Sequence, residues 1–144
     1  MQPQPMRVTR ARDQLDDAGS RPASPPIQLA PLVGSWVNFN EGSTGILRIE
    51  IAERGGELAV RPFGACAPDP CDWGEARSAA FADDVALGEA VAFMARYELG
   101  FQRVLLVGYV NRRLLTLEMG STFTDGSGRS PYFTREHFYA TPAP

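Results

Sequence analysis

Two cysteines stand five positions apart in "FGACAPDPCDWGEA", residues 63–76, together with three acidic residues and one of the two tryptophans of the chain. Cys66, Cys71, the single histidine His137 and either Asp69 or Asp72 would make four zinc ligands by inventory. No second cysteine pair exists, however, and the spacing is not that of a Cys-x-x-Cys redox motif. Pro68 and Pro70 fix φ and remove backbone donors, which accounts for a rigid turn without invoking chemistry. The residues between them can bring the two thiols together, so a Cys66–Cys71 disulfide and a pair of reduced structural thiols both stand open. We expect neither a metal nor any other cofactor. Trp73, just after the loop, is expected to floor a ligand pocket at a barrel rim.

The remaining candidates are scattered. His137 in "REHFY" could act as a general base if a carboxylate orients it, and Glu118 on a neighbouring strand could supply one. Tyr97, Tyr109, Tyr132 and Tyr139 could hydrogen-bond a ligand. "TDGSGRS" lacks the helix that a phosphate-binding loop requires and reads as a hairpin loop. All fourteen basic residues are arginine, so Schiff-base lysine chemistry is excluded by inventory. The arginine bias fits a GC-rich bacterial genome.

These residues need elements to position them. The chain has 144 residues, a net charge of −3, 44% hydrophobic and 22% charged residues, as befits one globular domain. No basic stripe points to nucleic acid and no apolar run approaches the ~20 residues that span a bilayer, so neither partner is expected. Residues 1–30 are rich in Pro, Gln, Arg, Asp and Ser and are expected to form a flexible arm before a single domain over 31–144. The N-terminus has no apolar h-region, so a cytoplasmic location is the default.

From Leu32 onward eight strands alternate with turns: "LVGSWVNFN", "ILRIEIAE", "ELAVRPFGA", "WGEARSAAF", "VAFMARYE", "FQRVLLVGYV", "RLLTLEMGSTFT" and "PYFTREHFYA". Connectors such as "RGG", "LG" and "NR" supply residues that accept positive φ. With no helix long enough for a parallel crossover, the pattern predicts an all-β, eight-stranded antiparallel up-and-down meander that closes into a barrel. Leu47, Ile49 and Ile51, and again Leu115, Leu117 and Met119, alternate with other side chains and predict inner faces. "VAFMA" and "VLLVG" are apolar on both faces, which predicts a covered outer wall, as in a homo-oligomer.

"GSWVNFNEGST", residues 34–44, resembles the calycins, the avidin-like and lipocalin-like barrels, whose first strand opens Gly-x-Trp. Gly34, Trp36 and Asn38, then Gly42 and Ser43, match the avidin pattern with one extra residue between. In avidins the matching asparagine and serine hold the ureido oxygen of biotin. The resemblance therefore implies that Asn38 and Ser43 are polar anchors at one barrel mouth and that Trp36 is a structural plug. The later tryptophans that sandwich biotin are missing, so the resemblance does not extend to biotin. From the lipocalin side it implies that Arg135 packs over Trp36 in a cation–π contact.

Function follows from the barrel rather than from any motif. The first expectation is a protein that binds a small, largely apolar molecule, with Asn38, Ser43, Trp73 and Tyr132 at the ligand. The alternative is an enzyme that cyclises or isomerises a small metabolite by holding it in a productive shape, with Glu118, His137 and Tyr97 as its polar groups. A third is an interaction protein that uses the outer wall.

Overall fold

The structure is a computed structural model that describes residues 27–86 and 88–142. Nine strands follow in chain order: β1 (Gly34–Asn38), β2 (Ile46–Arg54), β3 (Glu57–Gly64), β4 (Cys71–Asp72), β5 (Ala76–Ala82), β6 (Ala90–Glu98), β7 (Gln102–Asn111), β8 (Leu114–Phe123) and β9 (Tyr132–Thr141). Every pairing between strands is antiparallel. Sequential neighbours pair, and β9 returns to β1, with Asn38 opposite Phe138 and Trp36 opposite Ala140. That last ladder closes an eight-stranded up-and-down barrel and leaves no free sheet edge. The two-residue β4 is not one of the eight. It pairs with the end of β3, and β5 takes up the rest of the same β3 edge after a break at Trp73–Glu75. No helix among the described residues is long and apolar enough to cross a membrane.

Period-two alternation builds the core. Ile49, Ile51, Leu58, Val60, Phe93, Ala95, Leu106, Leu115, Leu117 and Phe138 point inward and are buried. A bulge between Ile46 and Arg48 changes one expected position: Ile46 takes the inner place and Leu47 is only half-buried. Outward residues of the doubly apolar strands are uncovered in the single chain, with Leu105 and Tyr109 exposed and Met94 and Val107 half-buried.

The bottom of the barrel is plugged from the N-terminal side. Leu29 and Leu32 are buried, Leu32 N–H donates to Leu29 C=O at 2.9 Å, and Ala90 N–H donates to Gln28 C=O at 2.9 Å. The arm expected over 1–30 lies outside the described residues as far as residue 26; within 27–30, Leu29 is buried in the floor. Trp36 sits above this plug, 3% exposed, its indole N–H donating to Leu32 C=O at 3.0 Å.

The expected partner of Trp36 is not there. Arg135 points to the outer wall, where it is opposite Glu118 on β8 and pairs with it at 2.9 Å. The β1–β9 register explains the difference. Phe138, opposite the buried Asn38, turns inward, so odd-numbered residues of β9 face solvent.

Candidate functional site

The opposite end of the barrel is open. A cavity of about 410 Å3 lies there, between the β1–β2 loop, the cysteine loop, the β6–β7 turn and the start of β9. One wall is nearly bare backbone, from Gly45, Gly64 and Ala65, while Trp73, Met119, Phe101 and Tyr132 supply the apolar surface.

Local sequence dictates how Trp73 reaches the cavity. Its backbone N–H donates to Pro62 C=O at 3.0 Å, and Gly74 then takes φ +82°, a conformation that releases the chain from β3. Gly64 lies beneath the indole: a Cβ added there would stand 2.8 Å from Trp73 Nε1. The ring meets Tyr97 edge-on at 5.7 Å. Tyr97 in turn is buried and donates its hydroxyl to Val60 C=O at 2.6 Å. Burial drives its phenol well above the ordinary range, so it stays protonated.

Cys66 and Cys71 form a disulfide with a Cα–Cα distance of 5.5 Å. It follows from the fold, because the pairing of Gly64 with Cys71 folds the loop back on β3. Both cysteines line the cavity rim. Next to them Asp72 holds Arg61, whose Nε donates to Oδ1 at 3.0 Å, and accepts Gly74 N–H at 2.9 Å. Chiefly the Arg61 hydrogen bond, and then the Gly74 amide, pull the Asp72 carboxyl down to about 2.

Trp73 and Tyr132 both line the cavity. Asn38 and Ser43 are at the same end but face a residue that sequence reasoning missed. Asn38 Nδ2 donates to Glu136 Oε2 at 2.7 Å and to Ile46 C=O at 2.9 Å. Ser43 Oγ donates to Glu136 Oε1 at 2.8 Å and accepts Gly45 N–H at 3.1 Å. The two implied anchors are therefore engaged in holding a carboxylate. The only sequence signal for Glu136 was its place between Thr134 and Phe138, on the face opposite Arg135 and His137.

The three catalytic candidates do not converge. Glu118 is held by Arg135 on the outer wall. His137 is also outside, its Nδ1 lying 3.2 Å from Thr116 Oγ1, with no carboxylate among the described residues hydrogen-bonded to it. Tyr97 is inside the barrel. Among the described residues no group of three or more His, Cys, Asp or Glu side chains converges as a metal site would. Comparison with protein-family models, with curated proteins and with solved structures finds no match.

Proposed function

We propose that this protein is a binding barrel of calycin type for a small, largely apolar molecule. The observation that carries the reading is the cavity at the open end, about 410 Å3 in volume and walled by Trp73, Met119, Phe101 and Tyr132. A concave apolar site with a few polar groups is the usual form of a small-molecule pocket. The calycin assignment draws support from Gly34-x-Trp36 on β1, the closed meander and the floor made by the turn before β1. A cytoplasmic location goes with reduced thiols, whereas the bonded pair Cys66–Cys71 favours an oxidising compartment.

The two tryptophans lie at opposite ends, which provides the test. In Trp36→Phe the sole remaining indole is Trp73, and titration with an apolar probe is expected to change its emission saturably. Native mass spectrometry of freshly purified protein is expected to show a co-purifying small molecule. An unbound protein whose Trp73 emission ignores apolar probes would end this reading.

A second reading has its own observation. Phe133, Tyr109, Tyr139 and Leu105 stand on the outer wall with 60%, 46%, 40% and 39% of their surface exposed. Such a wall suits association with a second copy or another protein. Sedimentation velocity on the wild type and on Phe133→Asp checks it: a monomer in both cases speaks against self-association.

A further inference from the structure

We propose that the cavity takes an apolar amine, with the protonated nitrogen of the ligand on the Glu136 carboxylate. This rests on the binding function argued above and adds the class of ligand.

Glu136 faces the inside of the barrel with no counter-charge among the described residues. It alternates inward on β9 between Thr134 and the fully buried Phe138. The seven strand arginines, Arg54 on β2 included, all alternate outward, and among the described residues none is within ion-pair distance of Glu136. Glu136 is half-buried, and a carboxylate partly shielded from water without a cation gains when one arrives.

The hydrogen-bond inventory gives the sign of the ligand. Asn38 has used both amide N–H groups, one on Glu136 and one on Ile46 C=O. Ser43 has used its single O–H on Glu136. Neither offers a free donor to a ligand acceptor. The carboxylate, by contrast, has about four acceptor positions and receives one donor on each oxygen. What remains for a ligand at this point is an acceptor bearing negative charge.

Glu136 is not itself in the cavity lining; Gly45, which is, stands next to it. Its backbone is not in the left-handed region, so conformation does not demand glycine there. A Cβ there would come within 3.1 Å of Glu136 Oε1, close enough to crowd the carboxylate, and 3.5 Å of Ser43 Oγ. A residue without a side chain thus separates the cavity from the carboxylate. An amine would pair there while its apolar body lies against Trp73, Met119 and Tyr132.

The test compares decylamine, decanol and decanoate near neutral pH, below their aggregation limits, by calorimetry on the full chain. Wild type is expected to bind decylamine about tenfold or more tightly than decanol, the margin of a charge-assisted contact. Glu136→Gln should bring the two to parity, and Gly45→Ala should weaken the amine more than the alcohol. Equal binding of amine and alcohol by wild type, tighter binding of decanoate, or an amine preference that survives Glu136→Gln overturns the proposal and leaves the binding barrel standing. Failure of all three probes to bind overturns both. The wild-type comparison decides the matter even if Glu136→Gln does not fold.

Discussion

Trp36 is a residue whose size is its role. It is 3% exposed, packs among the buried side chains of the floor and satisfies its one polar atom on Leu32. Trp36→Ala is expected to cost about 3–5 kcal/mol by chemical denaturation, the range for emptying a large aromatic site. A loss below about 1 kcal/mol would show that the floor closes without it. Asp72 is different, being a surface group with an electrostatic role. Its folded pKa is depressed to about 2, so its stabilising contribution is present above the unfolded value of about 3.9 and is lost as pH falls through about 2. Carboxyl titration by NMR should place the midpoint near 2, and Arg61→Ala should move it upward. A midpoint unmoved by that substitution would assign the shift to the Gly74 amide instead.

At the scale of elements, the β7–β8 turn carries an evident strain. Arg112 and Arg113 take φ of 50° and 64°, where two-residue hairpins favour Asn-Gly. Arg112→Asn with Arg113→Gly is expected to raise stability by about 1 kcal/mol, since non-glycine residues in this region are strained by roughly that amount or more. Between β6 and β7 the constraint is space. A Cβ on Gly108 would lie 2.1 Å from the ring of Phe93, which is fully buried opposite it. Gly108→Ala should therefore destabilise by about 1–3 kcal/mol, as overpacking does; a neutral outcome would mean that the ring can move aside. The disulfide closes a very short loop, so Cys66→Ser with Cys71→Ser should lose only about 2 kcal/mol and keep most probe binding. Trp73→Ala, which removes a cavity wall, should weaken binding by about tenfold. Binding lost with the thiols alone would make the loop itself the site.

For the whole molecule, the binding function we propose is linked to the stability of the barrel by mass action. A ligand held only by the closed barrel stabilises it by about 2.7 kcal/mol at a hundredfold excess over Kd. For a domain near this size that corresponds to a rise in Tm of about 10 °C. Calorimetry with decylamine should show such a rise, and Trp73→Ala should reduce it. A Tm that does not respond to a probe known to bind would mean that the unfolded chain takes it equally well.

The sequence by itself determined the local structure. Alternation of Leu115, Leu117 and Met119, glycine at the connectors and the absence of a long helix were enough for eight antiparallel strands, because those signals act between near neighbours. Trp36, which the calycin resemblance makes a plug, is 3% exposed. The tertiary structure decided which face of β9 is inside. That strand bears aromatic residues on both faces, with Phe133 and Tyr139 on one and Phe138 on the other, so its pattern alone does not choose. The choice is made by pairing with β1 about a hundred residues away, which turned Arg135 out to Glu118 and Glu136 in to Asn38 and Ser43. The state of the two cysteines was decided in the same way, since only the return of β4 onto β3 brings their Cα atoms to 5.5 Å. A one-residue change of register reverses every side chain of a strand, and register is fixed by barrel closure rather than by the strand's own residues.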